Sequence, residues 1–330
     1  MKPRVAISLG DPCGVGPEVT LRALLEPSVR EQLVPVVFGD VGVWQRTAAL
    51  VGADPELPIC VDAASVDPER GGLVRVTDLG PRAAPLGGGT EASGRAQIAY
   101  LERAVDALGR GETDALCTAP VTKAAIPASR GGFTGHTEYL RDRLGAGTVA
   151  MMLAGPRLRV TLVTTHLALA EVPAALSEEK ICEIVRLTEA ALRSWFGVER
   201  PRVAVCGLNP HAGERGLFGR EEIEIIGPAV EALVAERLEV FGPIAADAAM
   251  PRAVAGEFDA VVAMYHDQGL GPVKTLHFDE AVNVTLGLPV PRTSPDHGSA
   301  LDIAAQGIAR PGAMISALTM AARLASGQTL

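Results

Sequence analysis

Val5-Ala6-Ile7-Ser8-Leu9-Gly10-Asp11-Pro12-Cys13-Gly14-Val15-Gly16-Pro17-Glu18 is an apolar β-branched run, a glycine-rich turn and a proline suited to the first turn of a helix. The same order recurs along the chain. Short apolar runs at 5–9, 35–38, 115–118, 158–165, 203–208 and 260–264 read as strands, several of them apolar on both faces, as in a sheet covered by helices. Between them, residues 95–108 place Ile98, Leu101, Val105 and Leu108 on one stripe behind Ser93. Residues 178–195 repeat the pattern behind a Ser177 N-cap, with Ile181, Ile184, Val185, Leu192 and Trp195. A last helix is expected from Pro311 to about residue 325. Strands alternating with helices define an α/β fold.

At 330 residues the chain exceeds the rough 250–300 at which one hydrophobic core stops growing, so two lobes are expected. No repeat or long linker marks a boundary; the Gly/Pro-rich stretch 80–89 is the softest point and reads equally as a surface loop inside one lobe. Thirty Lys+Arg against 39 Asp+Glu give a net charge of −9, which argues against nucleic acid or an anionic membrane as partner. Any phosphate must therefore be held locally. The run 5–9 after Met1-Lys2-Pro3-Arg4 is too short for a signal peptide, and no apolar run reaches the roughly 18 residues of a membrane span. Five cysteines, odd in number and without a C-x-x-C pair, suit a reducing cytoplasm better than a disulfide framework or a thiolate zinc site.

The 10–18 turn sits where a dinucleotide fingerprint would, but the position for a third small residue holds Val19, and no Lys-Ser/Thr follows as in a phosphate loop. A tight turn needing φ > 0 explains the glycines as well as a cofactor does. Asp11 at the strand end is harder to explain structurally.

Six histidines carry more information, although no two have the spacing of a helical zinc motif. His166, His211 and His266 each follow an expected strand closely, and the carboxyl ends of parallel strands share one edge, where ligands bind. Three neutral imidazoles there could take Zn²⁺ or a similar ion, with Asp247 and Asp267 close in sequence as ligands or orienters. Any one of them alone is more simply a hydrogen-bonded structural or surface imidazole. His277 reads as surface, and Asp296-His297-Gly298 as a helix cap or a cofactor contact. Gly131-Gly132-Phe133-Thr134-Gly135-His136-Thr137-Glu138 runs into a helix expected over 138–144, where an anion could sit; a capped turn without ligand fits equally. Lys274, Asn283 and Arg292 lie in segments dense in Gly or Pro, and solvated cations are the default reading of the Lys and Arg.

Taken in order, the segments Gly10-Asp11-Pro12-Cys13-Gly14-Val15-Gly16-Pro17-Glu18, Thr118-Ala119-Pro120-Val121-Thr122-Lys123, Gly135-His136-Thr137-Glu138, Thr164-Thr165-His166-Leu167, Leu208-Asn209-Pro210-His211-Ala212-Gly213-Glu214, Tyr265-His266-Asp267-Gln268-Gly269-Leu270 and Arg292-Thr293-Ser294-Pro295-Asp296-His297-Gly298 resemble the 4-hydroxythreonine-4-phosphate dehydrogenase family of pyridoxal phosphate biosynthesis. The resemblance runs from Gly10 to the last helix. It implies a fold similar to isocitrate and isopropylmalate dehydrogenases: residues 1–330 as one catalytic unit of two interleaved α/β lobes, with the active site in the cleft between them. It further implies a homodimer whose divalent metal (Zn, Mg or Co) is bound by His166, His211 and His266, the last from the partner subunit. His136, Thr137, Lys274, Asn283 and Arg292 are the implied substrate contacts, and Asp11, Gly14 and His297 the expected contacts of NAD or NADP.

The implied reaction is oxidation of the secondary alcohol of 4-phosphohydroxy-L-threonine by NAD⁺, followed by loss of CO₂ to leave 3-amino-2-oxopropyl phosphate. Asp247 is the first choice of general base, with Asp267 or an oriented water as alternatives. The segment Gly242-Pro243-Ile244-Ala245-Ala246-Asp247-Ala248 departs from the family's usual Gly-Pro-Leu-Pro-Ala-Asp-Thr, and Asp302-Ile303-Ala304-Ala305-Gln306-Gly307 replaces its more usual Ala-Gly pair after the last motif. These departures leave room for a paralogue acting on erythronate phosphate or a dihydrodiol dicarboxylate. A three-histidine zinc hydrolase, needing no nicotinamide, is the reading from another class.

Overall fold

The opening run folds as a strand buried at every residue after Arg4, as expected of a sheet covered on both faces. The computed structural model describes residues 1–53, 57–80, 82–126, 133 and 135–327. In chain order the strands are β1 (Arg4–Ser8), β2 (Val34–Asp40), β3 (Ile59–Cys60), β4 (Gly72–Thr77), β5 (Ala115–Thr118), β6 (Ala150–Ala154), β7 (Arg159–Leu162), β8 (Arg202–Cys206), β9 (Glu239–Ile244), β10 (Ala260–Ala263), β11 (Val282–Leu286) and β12 (Arg292–Pro295). The chain divides into two compact units.

The first unit joins Met1–Ala146 to Leu288–Ser326. Its strands run β3-β4-β2-β1-β5-β12, each pair parallel. Ile7, Val36, Leu73, Leu101, Leu116 and Leu318 are buried in it. Helix Glu91–Gly109 begins four residues before the expected 95–108, because Thr90 and Ser93 form a reciprocal capping box, each backbone N–H donating to the other's hydroxyl. Ser93 thus lies inside the first turn instead of before it. The stretch 80–89 belongs wholly to this unit, and Gly87 N–H donates to Cys13 O at 2.9 Å, tying it to the 10–18 turn.

The second unit is built on Gly147–Gly287, with strand order β11-β6-β7-β10-β8-β9. β11, β6 and β7 are antiparallel neighbours; β7, β10, β8 and β9 are parallel. Leu153, Val160, Leu162, Ala204, Phe258 and Val273 belong to its core. Helix Glu178–Ser194 starts on Ser177, whose hydroxyl accepts from Lys180 N–H at 3.2 Å, as expected. In the first unit, the last helix, Gly312–Ser326, begins one residue after Pro311. No helix among the described residues is long and apolar enough to cross a membrane, and the five cysteines are unpaired and buried.

Candidate functional site

Parallel pairing in the second unit brings the carboxyl ends of β7, β10 and β8 to one edge, and each end leads to one of the three histidines. Thr164 joins two of these ends: its hydroxyl donates to Met264 O at 2.7 Å. The rings of His166 and His266 consequently stand 5.9 Å apart, centroid to centroid. His266, first residue of helix His266–His277, has its Nδ1 2.7 Å from Asp267 Oδ1. That bond engages one ring nitrogen and leaves Nε2 for a ligand. Gln268 links the roots of β10 and β8: its amide oxygen accepts from Met264 N–H at 2.7 Å and its amide nitrogen donates to Gly207 O at 2.8 Å.

His211 is carried differently. Residues 211–215 take left-handed dihedrals, with φ of 54° at His211, 50° at Ala212, 42° at Glu214 and 57° at Arg215. Each non-glycine residue in that region costs on the order of 1–2 kcal/mol, so the turn persists only where its surroundings over-determine it. Against this turn packs Glu222, a buried residue opening the π-helical turn Glu222–Ile226. Its Oε1 accepts Leu208 N–H at 2.8 Å and Asn209 N–H at 2.7 Å, and its Oε2 accepts Asn209 Nδ2 at 3.0 Å. Asn209 Nδ2 also donates to Glu221 at 2.7 Å, and this bond with local backbone N–H groups holds the Glu221 carboxyl below its usual range.

A cavity of about 620 Å³ opens beside this turn, lined by Asn209, His211, Asp247, Tyr265, Asp267 and Gln268 among others. Asp247 stands in the first turn of helix Ala246–Val254 and is exposed, able to exchange protons with a bound molecule or with water. The cavity therefore gathers one histidine and both candidate catalytic carboxylates. Lys274 lies eight residues after His266 on the same helix, about 12 Å along its axis, and Asn283 lies half-buried on β11.

Imidazole donors suit Zn²⁺ and related ions, and the His166–His266 pair with Asp267 on the free nitrogen of one ring has the donor set and outer contact such an ion uses. The ring of His211 lies instead 6.2 Å from that of Phe218. No three His, Cys, Asp or Glu side chains among the described residues converge closely enough to share an ion within one chain. The residues fit a metal in donor chemistry.

The first unit gathers a separate set. Arg292, buried on β12, donates from Nη2 to Thr118 Oγ1 on β5 at 2.5 Å, and burial pushes its guanidinium down to about 10, still charged at neutral pH. His136 opens helix His136–Arg143, and its Nε2 is shielded from water with no hydrogen-bond partner among the described residues. Burial, then the charges of Arg292 and Lys123, hold its pKa well below the usual imidazole range. Two cations thus act on one neutral imidazole, an arrangement suited to an anion. Thr137 follows in the same helix; Gly131, Gly132 and Thr134 of the expected anion loop lie outside the described residues.

Of Asp11, Gly14 and His297, Gly14 packs against Ser299. Val15 N–H donates to Ser299 O at 2.9 Å, and a Cβ on Gly14 would lie 2.6 Å from that oxygen, so close approach explains this glycine. Gly10, at φ 66°, is the one that needs a left-handed turn. Buried Asp11 accepts Cys13 N–H at 2.9 Å through Oδ1, while Oδ2 has no partner among the described residues. His297 Nδ1 lies 2.9 Å from Gly298 O. The 296–298 segment caps no helix, because turns occupy 301–307 and the next helix starts at Gly312. His277, expected at the surface, is 5 % exposed, its ring packed against Gly155.

The profile of the family described as "Pyridoxal phosphate biosynthetic protein PdxA" matches residues 31–321. The chain belongs to the PdxA family. Over 97 % of its length it is 44 % identical to a 4-hydroxythreonine-4-phosphate dehydrogenase of Desulforapulum autotrophicum, covering 95 % of that protein. It is 45 % identical to a D-threonate 4-phosphate dehydrogenase of Cupriavidus necator, with 98 % of each chain covered. A crystal structure of a 4-hydroxythreonine-4-phosphate dehydrogenase from Burkholderia phymatum, 43 % identical, superposes with a TM-score of 0.82 over 98 % of both chains. Within this PdxA-family chain, the motifs of the sequence include Gln268 and Lys123 but assign them no role, and Glu222 lies outside every motif. Gln268 was findable as the polar residue after His266-Asp267; Glu222 carries no local signal at all.

Proposed function

We propose that this protein is an NAD-dependent and divalent-metal-dependent oxidoreductase that converts 4-phosphohydroxy-L-threonine to 3-amino-2-oxopropyl phosphate and CO₂ in pyridoxal phosphate biosynthesis. The observation that carries this reading is that His166, His211 and His266 each follow the carboxyl end of one of the parallel strands β7, β8 and β10 in a chain similar over nearly its full length to proteins of that name. His166, His211 and His266 would hold the ion. When bound, it supplies Lewis-acid polarisation of a coordinated hydroxyl or carbonyl oxygen. Asp247 would take the hydroxyl proton and Asp267 would keep the His266 ring oriented, while NAD, when bound, would supply the hydride acceptor. Arg292 with Lys123, His136 and Thr137, and Lys274 with Asn283, bind and orient the anionic ends of the substrate. Asp11, Gly14 and His297 serve the NAD (or NADP) side.

We further propose a homodimer with the metal site shared, His266 of the partner subunit completing it, as the family resemblance implies. No three His, Cys, Asp or Glu side chains converge among the described residues of one chain, short of the three protein ligands a catalytic site of this type uses; His166 and His211 of one chain with His266 of the partner subunit would make up that number. Unpaired buried cysteines suit a cytoplasmic location.

D-threonate 4-phosphate is the second reading, favoured by the Cupriavidus relative at 45 % identity. The two substrates differ in carrying an amino or a hydroxyl group beside the carboxylate. NADH formation by metal-replete protein, compared between them, separates the readings: a higher kcat/KM for the amino compound supports the first, the reverse supports the second. Turnover of neither, or product release without NAD⁺ as in a zinc hydrolase, overturns both.

A further inference from the structure

We propose that Glu222 is a positioning residue that presents His211 to the cavity. The proposal rests on the reading of His211 as a metal ligand. Two backbone irregularities meet at this one carboxylate: the left-handed turn 211–215 and the π-helical turn that begins at Glu222 itself. Helical turns widened in this way are rare and recur at functional sites, and left-handed non-glycine residues persist where several contacts hold them.

The contacts here converge on the chain just before His211. Leu208 N–H and Asn209 N–H both donate to Oε1, and Asn209 Nδ2 donates to Oε2. Pro210, which follows, has no N–H to add, so the two bonds to Oε1 hold the last backbone donors before His211. On the far side of the turn, Gly213 sits against the same carboxylate: a Cβ there would lie 2.5 Å from Oε2, at a φ of 78°. Gly207 is similarly tight, its Cβ position 3.0 Å from Oε1. The carboxylate fills the space inside the loop and accepts from three donors. A glutamine offers only one acceptor oxygen and turns an NH₂ group toward N–H donors.

Four variants of the metal-stripped full-length protein test this. Co²⁺ is titrated against a chromophoric chelator, its visible absorption bands are recorded, and the melting temperature without metal is measured in parallel. Glu222→Gln is expected to weaken Co²⁺ binding about 10- to 100-fold and to change the bands, in the range seen when outer contacts of metal ligands are removed. Glu222→Asp, which keeps the charge but reaches less far, recovers part of both. Asn209→Ala, which leaves the backbone bonds in place, shifts both in the same direction by less, and serves if Glu222→Gln does not fold. Parental affinity and bands in the folded variants, with His211→Ala defective in both, overturn the proposal. If His211→Ala itself binds Co²⁺ with parental affinity and bands, the ligand assignment beneath it falls instead.

Discussion

His166 and His266 stand with their rings 5.9 Å apart because β7 and β10 are parallel neighbours whose ends Thr164 ties together. Alanine at either position is expected to lower metal-dependent turnover by roughly a thousandfold, the scale of several kcal/mol of Lewis-acid stabilisation. EDTA should do the same to the parent, with Zn²⁺, Mg²⁺ or Co²⁺ restoring it. Mixing His166→Ala with His266→Ala protein, after subunit exchange has been demonstrated, should recover part of the activity if partner chains complete one another's sites. No recovery would place both ligands in a single chain's site.

Asp267 touches His266 through one bond to Nδ1 at 2.7 Å. The carboxylate is solvent-exposed, so its contribution sits at the low end of what outer contacts provide. Asp267→Ala should weaken Co²⁺ binding about tenfold and leave the melting temperature of metal-free protein unchanged. A large fall in that melting temperature would instead give Asp267 a folding role.

His136 gives a pH dependence whose sign is fixed by burial. Its folded pKa lies well below the roughly 6.5 of an unfolded histidine, so the unfolded chain binds the extra proton between the two values. The contribution to stability is complete above about pH 6.5 and is lost as pH falls from there toward the folded pKa. His136→Gln should therefore flatten the decline in melting temperature below pH 6.5 relative to the parent. An unchanged slope would contradict the burial argument.

Gly14 faces Ser299 O with 2.6 Å between that oxygen and its missing Cβ. Gly14→Ala should destabilise the protein by about 1–3 kcal/mol through overpacking, measurable by denaturant titration without any nucleotide present. If stability is unaffected and only the KM for NAD⁺ rises, the glycine serves the cofactor and not the turn.

Gln268 spans the roots of two histidine-bearing segments through Met264 N–H and Gly207 O. Gln268→Ala leaves a donor and an acceptor without this partner and should cost about 1–3 kcal/mol of stability. Gln268→Glu places an oxygen against Gly207 O and should be no better. Parental stability in both would show that neither bond holds the strand ends.

The alternation of apolar runs and amphipathic stripes determined the α/β class and put β1, β2, β5, β7, β8 and β10 within a few residues of their places, because periodicity is local. It passed over β4, β6, β11 and β12, as well as β9, whose Gly242-Pro243 imitates a turn, and β3, which is only two residues long. The carboxyl-end rule likewise brought His166 and His266 to one edge from sequence alone, since parallel order follows from βα alternation.

Tertiary structure decided what those histidines do next. Among residues 211–215 only Gly213 favours a left-handed backbone, so nothing local foretells the turn; a carboxylate eleven residues beyond His211 packs against it. Gly14 is fixed by Ser299 and Arg292 by Thr118, partners 285 and 174 residues away that no periodicity can pair. Local propensity sets which elements form; hydrogen bonds and close contacts between distant segments set where side chains point, and these exist only once the chain has folded.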